Sequence, residues 1–194
     1  MLDLLFDPFP VLETQRLTLR KITMKDAADI FSIRRDENTM KYISRPLIQS
    51  VSEAQKLIGE FQEGVRNKMS IIWGISVKSE ANLIGTIGYR SIDKNNHRAE
   101  VGYVLSPDAW GNGYASEAIA EVIKYGFAGM GLHSIEARVN PDNTDSSKVL
   151  LKQKFVKEAH FKEDMYFLGA FRDTEVYSLH QPKTDSSLQK DKNK

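Results

Sequence analysis

The chain has 194 residues and a formal net charge of +1, which fits one domain and gives no electrostatic reason to expect nucleic acid or an anionic membrane as a partner. It contains no cysteine, which excludes disulfides, thiolate metal sites and a cysteine nucleophile, and which suits a cytoplasmic protein. The histidines lack the spacing of metal ligands, so we expect no metal site; they are His97, His133, His160 and His180.

The two ends of the chain differ in composition from its middle. Residues 1–11 are apolar, but aspartates and prolines interrupt them, so they predict neither a signal peptide nor a membrane span. Residues 182–194 are polar and rich in lysine, and such a segment cannot bury enough surface to offset its ordering entropy. We therefore expect an N-terminal extension (1–11), one domain (12–181) and a disordered tail (182–194).

The first third of the domain predicts one strand and two helices. Leu17 and Leu19 alternate with polar residues, which favours a half-buried strand over residues 12–21. Thr23 and Asp26 resemble a capping box, and an apolar stripe at helical spacing follows them. A second helix is expected over residues 52–67, after a loop that contains a short helix.

The rest of the domain predicts an antiparallel meander followed by alternating helices and strands. Two glycines precede a helix of about four turns that begins at residue 114. A strand and a helix come next, and two strands close the domain. The predicted strands are 70–77, 82–92, 98–106, 134–140, 156–168 and 172–180, and the last helix is 143–155. This order indicates an α+β fold, with a mixed, mostly antiparallel sheet of about seven strands and helices on both faces.

Gly111 and Gly113 lie between a strand and a helix, where main-chain N–H groups of residues 111–116 can converge on a pyrophosphate. A Walker loop is excluded because the stretch has no lysine, and a dinucleotide fingerprint fits poorly because Ser116 occupies its sixth position. Without further context, an ordinary connection between a strand and a helix explains the two glycines equally well.

Several stretches together resemble the GNAT superfamily of N-acyltransferases. "WGNGYASEA" resembles the acyl-CoA-binding motif in the form found in the RimJ/RimL-type subgroup, which acetylates protein N-termini. "LETQRLTLRKI", "IGTIGYRSID" and "VNPDNTDSSKVLLKQKF" resemble other parts of that subgroup, and the resemblance covers residues 12–181. It implies the GNAT fold and acetyl-CoA as co-substrate. It also implies a set of acetyl-CoA-binding residues: Tyr103, Val104, Leu105, Trp110, Gly111, Asn112, Gly113, Tyr114, Ala115, Ser116 and Asn143.

The resemblance also implies how the thioester is bound. In relatives, a bulge separates the strand that ends in "GYVLS" from the next strand, which frees main-chain groups for the pantetheine arm. The tetrahedral oxyanion needs an N–H donor placed in advance, and we expect Val104 to supply it. The alternative is that Tyr103, Val104 and Leu105 are ordinary ladder residues of a sheet.

The acceptor is then a primary amine, which must lose a proton before it attacks. Glu100 lies in the middle of an apolar strand, and we expect this carboxylate to accept that proton, directly or through one water. The alternative is that Glu100 forms a structural ion pair with Arg90 or Arg98.

Asn143 and Ser146 begin the last helix, where the resemblance assigns Asn143 to the CoA arm and Ser146 to the departing thiolate. Either residue also suits a helix N-cap. The sequence departs from the family pattern twice. Lys154 replaces a glycine, so the turn after the last helix is expected to differ, and Leu150 stands where many relatives have a tyrosine that acts as general acid.

The identity of the acceptor amine stays open at this stage. "RRDE" (34–37), Tyr42 and Arg45 lie where relatives cover the acceptor site, but a solvated helix face explains them as well. We expect transfer to the N-terminal amine of a protein. The alternatives are a small amine (polyamine, amino acid or antibiotic) and a CoA-binding regulator without catalysis, and a homo-oligomer is compatible with each of them.

Overall fold

Residues 2–182 are described by a computed structural model, so residues 183–194 of the expected disordered tail lie outside it. The described residues form one mixed sheet of eight strands with helices on both faces, as the sequence predicted except for the number of strands. The strands are β1 Leu12–Glu13, β2 Leu17–Lys21, β3 Ile71–Val77, β4 Gly85–Asp93, β5 Arg98–Leu105, β6 Ser134–Val139, β7 Val156–Phe167 and β8 Ala170–His180.

The strand predicted over residues 12–21 is two strands, which is why the sheet has eight rather than about seven. A turn at residues 14–16 folds β1 back antiparallel onto β2, with Leu12 opposite Leu19. The strands lie in the order β1-β2-β3-β4-β5-β6-β8-β7, and β5 and β6 are the one parallel pair. The crossover between them carries the glycine turn and the helix that follows it.

Side chains of the central strands alternate between two apolar clusters, one on each face of the sheet. In β3, Ile71 and Trp73 belong to the cluster under the later helices, whereas Ile72 belongs to the cluster under the earlier ones. Helices α1 and α3 cover one face, and α4 and α5 cover the other. Every helix of residues 2–182 is too short or too polar to span a bilayer. The helices are α1 Ala27–Arg35, α2 Glu37–Met40, α3 Val51–Arg66, α4 Tyr114–Lys124 and α5 Thr144–Lys152.

The helix predicted to run four turns from residue 114 changes its winding. After α4, the segment Tyr125–Gly129 is π-helical. The buried hydroxyl of Tyr89 donates to the Val122 carbonyl at 2.8 Å, and a Cβ on Gly126 would lie 2.0 Å from that hydroxyl. A side chain that enters the hydrogen-bond ladder in this way widens the helix locally.

The parallel pair of β5 and β6 opens after three residues. The paired residues are Arg98 with Ser134, Ala99 with Ile135 and Glu100 with Glu136. Beyond that point both strands continue, but they no longer pair with each other. The expected separation is therefore present, while the bulge lies on β4, where Arg90 is the extra residue. The result is a split in the sheet that begins at Glu100, and it positions the candidate site.

Candidate active site

The glycine turn has the conformation of an open main-chain cradle. Gly111 and Gly113 have φ angles of 74° and 76°, in the left-handed region that favours glycine. A Cβ on Gly111 would meet no atom within 4 Å, so the space in front of the turn is open. Gly113 is the N-cap of α4 and offers no side chain to satisfy its first N–H groups. These free donors and the helix dipole make an anion-binding site.

An arginine and a glutamate that the sequence analysis did not single out hold this turn against β2. Glu117 on α4 accepts from Arg16 Nε at 2.7 Å and from Thr14 Oγ1 at 2.6 Å. The Arg16 guanidinium also donates to the Asn112 carbonyl at 3.0 Å and lies over the Tyr114 ring. Arg16 and Glu117 are about a hundred residues apart, so nothing local in the sequence indicated their contact.

The outer residues of the predicted cradle have other partners as well. The Trp110 indole N–H donates to the Leu105 carbonyl at 2.9 Å, which ties the turn to the end of β5. The hydroxyl and the carbonyl of Ser116 both accept from the Gln153 amide, each at 3.0 Å, which ties α4 to α5. The side chains of Trp110 and Ser116 therefore shape the cradle, and the main chain of the turn remains to bind a ligand.

The structure corrects the assignment of Val104 as the donor that faces the split. Antiparallel residues alternate between pairs that exchange hydrogen bonds and pairs that do not. Ser106 N–H donates to Ile84 O at 2.9 Å, so these two residues form a hydrogen-bonded pair. Val104 is two residues before Ser106 and lies opposite Thr86, so its N–H is also directed toward β4. The N–H groups of Tyr103 and Leu105 point the other way, into the split. The Leu105 carbonyl confirms this direction, because it accepts from Trp110 rather than from β4.

The side chain of Tyr103 also contributes to the site, although the sequence analysis assigned a role only to its main chain. Its hydroxyl lies 2.8 Å from Ser146 Oγ at the start of α5. Burial raises the pKa of Tyr103 to about 12, although the hydrogen bond to Ser146 opposes the shift, so the phenol is neutral near pH 7. Asn143 is the N-cap of α5, and its Oδ1 accepts from Ser146 N–H at 3.2 Å.

Glu100 lies on the opposite face of β5 from Tyr103, on the side of α1 and α3. The Arg90 guanidinium pairs with it, which is the ion pair weighed against the catalytic role. Arg98 pairs with Glu136 instead. The Glu100 side chain is only 15% exposed, and it lines a cavity of about 590 Å³. Because Ser146 lines the same cavity, the cavity passes through the split from one face to the other.

The region from α1 to the loop after α2 contributes to this cavity. Arg34, Tyr42 and Arg45 line it, so a solvated helix face does not describe Arg34. Arg34 is partly buried and lies 3.4 Å from Thr86 Oγ1 on β4. Arg35 is exposed and lies over the Phe31 ring, as a solvated helix residue would.

Comparison with known proteins agrees with this geometry. The acetyltransferase (GNAT) domain family matches residues 16–156. The uncharacterized N-acetyltransferase YoaA of Bacillus subtilis is 41% identical over 175 residues, which cover 90% of this chain and 99% of YoaA. The chain belongs to the GNAT family of acetyltransferases. As a GNAT enzyme it transfers an acetyl group from acetyl-CoA to an amine.

Two further relatives bear on the fold and on the range of acceptors. The structure of Mycobacterium smegmatis RimJ in complex with CoA-disulfide superposes with a TM-score of 0.81 at 22% identity, covering 88% of this chain and 87% of that one. The spermidine N(1)-acetyltransferase of Vibrio cholerae is 24% identical over 168 residues, covering 87% of this chain and 95% of that one. The family and the fold are therefore established, and the acceptor is not.

The departures of this GNAT chain from the family pattern have structural outcomes. Lys154 has φ +67°, so the turn keeps the left-handed conformation that suits glycine, contrary to the expected difference. Phe155 N–H donates to Leu150 O, and Lys154 N–H donates to Leu151 O, which are the two bonds of a Schellman motif. Leu150 is buried in the core, while the hydroxyls of Tyr103 and Ser146 meet in the cavity. Within residues 2–182, no three acidic or histidine side chains are grouped to hold a metal ion.

Proposed function

We propose that the protein acetylates the N-terminal amine of a protein by direct attack in a ternary complex, with the split between β5 and β6 as the reaction site. Acetyl-CoA would bind on the face of α4 and α5, with its diphosphate on the main chain of residues 111–116. The free amides of that turn and the open space at Gly111 support this placement. The acceptor would approach from the face of α1 and α3.

One observation carries the proposal: a single cavity joins Glu100 on one face of the sheet to Tyr103 and Ser146 on the other. A group-transfer reaction without a covalent enzyme intermediate needs both substrates to meet at one point. The split provides that point, because the sheet opens only beyond Glu100.

We assign one residue to each step of the transfer. The Glu100 carboxylate accepts a proton as the amine nitrogen forms its bond to the thioester carbon. We assign the stabilisation of the oxyanion to the Tyr103 N–H. This group takes the role expected of Val104, because it faces the split close to Glu100. The carbon–sulfur bond then breaks, and the Ser146 hydroxyl, backed by the Tyr103 phenol, supplies a proton to the leaving thiolate.

The charge of the cavity disfavours a polyamine as the acceptor. Five arginines and three acidic residues line it, and an excess of cationic side chains repels a polycation. An N-terminal amine or an amino acid carries less positive charge. A regulator without catalysis is the weaker alternative, because Glu100 and the free amides of β5 remain in place.

Substitution Glu100→Gln tests the proposal, with acetyl-CoA turnover measured on N-terminal peptides. We expect kcat to fall by about 10²–10⁴-fold, the usual contribution of a general base, with acetyl-CoA affinity unchanged. Glu136→Gln is the matched control, because Glu136 pairs with Arg98 beside Glu100 and faces the same end of the split. Near-normal kcat in Glu100→Gln would refute the assigned base, and CoA binding without transfer to any amine would support the regulator.

A further inference from the structure

The acceptor side of the cavity holds a cationic cluster whose charges are only partly balanced. Arg34 comes from the last turn of α1, Arg45 from the loop after α2, and Arg90 from the bulge of β4. All three line the cavity near Glu100. Their convergence from three separate elements shows that the fold concentrates positive charge at this point.

The partners of these arginines differ. Arg90 pairs with Glu100, and Arg138 and Arg172 elsewhere in the cavity contact the Asp164 carboxylate and the Lys41 carbonyl. By contrast, no carboxylate of residues 2–182 lies within 4.0 Å of a guanidinium nitrogen of Arg34 or Arg45.

Arg34 is the least satisfied member of the cluster. Among residues 2–182 its guanidinium makes two side-chain hydrogen bonds, with the Thr86 hydroxyl at 3.4 Å and the Met40 sulfur at 3.8 Å. Its Nε is fully buried and has no hydrogen-bond partner within the same described range. A buried donor without a partner is costly, and a buried charge without a counter-ion is more so. The Arg34 guanidinium therefore needs a hydrogen-bond acceptor that residues 2–182 do not provide.

The charge of Arg34 persists in spite of its surroundings. Burial, together with the nearby charges of Arg45 and Arg90, lowers the pKa of Arg34 to about 10. The guanidinium is still protonated near pH 7. An anion placed beside it would relieve both the desolvation and the repulsion between the arginines.

We propose that the acceptor carries an oxyanion, a carboxylate or a phosphate, close to its reactive amine, and that Arg34 and Arg45 bind this group. The inference rests on the proposed function, because it places the amine at Glu100. Arg34 contacts Thr86 on β4, the residue opposite Val104 of β5, so the arginine lies on the face of the sheet that carries Glu100, and it lines the same cavity. Guanidinium groups suit this task because their fork of N–H donors matches the two oxygens of a carboxylate or phosphate.

The oxyanion has three possible sources, and matched pairs of acceptors distinguish them. Peptides with Glu or Gln as the second residue test a side-chain carboxylate, an amino acid and its amide test an α-carboxylate, and phosphoethanolamine against ethanolamine tests a phosphate. We expect the anionic member of at least one pair to have a kcat/KM about tenfold to a hundredfold higher, as hydrogen bonds to a charged group allow. Equal rates within all three pairs would overturn the proposal.

Arg34→Gln ties the preference to this residue, and Arg35→Gln is its control, since Arg35 is the exposed neighbour on the same helix. We expect Arg34→Gln to raise KM for the anionic acceptor and to abolish the preference, with KM for acetyl-CoA unchanged. Its Tm should not fall, because the change removes an uncompensated charge. Equal loss of activity on both members of a pair, together with a lower Tm, would show a structural role instead.

A binding measurement separates this inference from the proposed function. With saturating CoA to fill the cradle, inorganic phosphate should raise the Tm of the native protein and of Arg35→Gln, but not of Arg34→Gln, against chloride at equal ionic strength. This result without acetylation of any acceptor would retain the anion site and reject the proposed function. Acetylation without charge preference and without a phosphate effect would retain the function and reject the anion site.

Discussion

At the scale of single residues, direction matters as much as identity. Val104 and Tyr103 are neighbours on β5, yet the alternation of the strand directs one N–H to β4 and the other into the split. An assignment that is wrong by one residue therefore exchanges an N–H that bonds to β4 for one that faces the split. The same alternation separates Glu100 from the Tyr103 phenol, which lie on opposite faces of the sheet.

Lys154 gives a prediction about stability at this scale. Its side chain is exposed and its φ is +67°, a conformation that costs a non-glycine residue about 1 kcal/mol. We expect Lys154→Gly to stabilise the fold by about that amount, which corresponds to a rise in Tm of about 2–4 °C for a protein of this size. Lys152→Gly, in the right-handed last turn of α5, should lower the Tm instead. A lower Tm for Lys154→Gly, measured by calorimetry, would contradict the argument.

At the scale of elements, the first turn of α4 is held in place by residues from outside the helix. Arg16 and Glu117 join the start of β2 to α4 and fix the Asn112 carbonyl as well. At the other end of the helix, the Tyr89 hydroxyl donates a hydrogen bond to the Val122 carbonyl, and the π-helical segment follows. Both ends of α4 thus depend on strands that precede it in the chain.

The contact between Arg16 and Glu117 predicts a change in acetyl-CoA affinity. Glu117→Gln removes the charge that holds Arg16, so the glycine turn should lose its fixed position, and KM for acetyl-CoA should rise about tenfold, as for the loss of a charged hydrogen bond. The kcat should change little, because Glu117 lies away from the split. Glu121→Gln is the control, one turn further along the same helix, where the pair with Lys124 is exposed. An unchanged KM, measured by steady-state kinetics, would show that the turn is rigid by itself.

At the scale of the whole molecule, buried or half-buried carboxylates join separate parts of the sheet to each other and to helices. Burial alone would raise the pKa of Asp26 and of Glu117, but hydrogen bonds and the charges of Arg20 and Arg16, respectively, lower both below their usual values. Hydrogen bonds from Lys157 and Tyr177 lower the pKa of Glu175. The anionic forms of these groups are therefore favoured by folding.

These shifts predict acid sensitivity of the fold. A carboxylate whose pKa is lower when folded contributes stability above its unfolded value and loses it as the pH falls through the folded value. We expect the free energy of unfolding in urea to be level from neutral pH to about pH 5 and to decrease below the ordinary values of 4.5 for glutamate and 3.8 for aspartate. Glu117→Gln should make this decrease shallower. A level profile down to pH 3 would contradict the role of these groups.

The fold was largely predictable because its signals are local. Alternation in the strands, the apolar stripes of the helices and the glycine turn before α4 are properties of short segments, and the structure confirms them. The first strand was wrong in one respect, since residues 14–16 form a turn. Local hydrogen bonds between Thr14 and Leu17 close this turn, and contacts with the distant Glu117 add to them. The helix that begins at residue 114 runs to Gly129 as predicted. Its π-helical last segment was not predicted, because the hydroxyl that changes the winding belongs to β4.

By itself the sequence determined the family, and it predicted the glycine turn before α4 and the glutamate in the apolar strand, because these depend on residue types at fixed spacing. Only the tertiary structure decided which amide of β5 faces the split, which hydroxyl lies beside Ser146, and that Arg34 lines the cavity with a buried Nε that has no hydrogen-bond partner among residues 2–182. Those properties depend on strand register, on the bulge at Arg90 and on charges from distant segments. A pairing between residues far apart leaves no trace in either local sequence, and the chemistry of this site lies in such pairings.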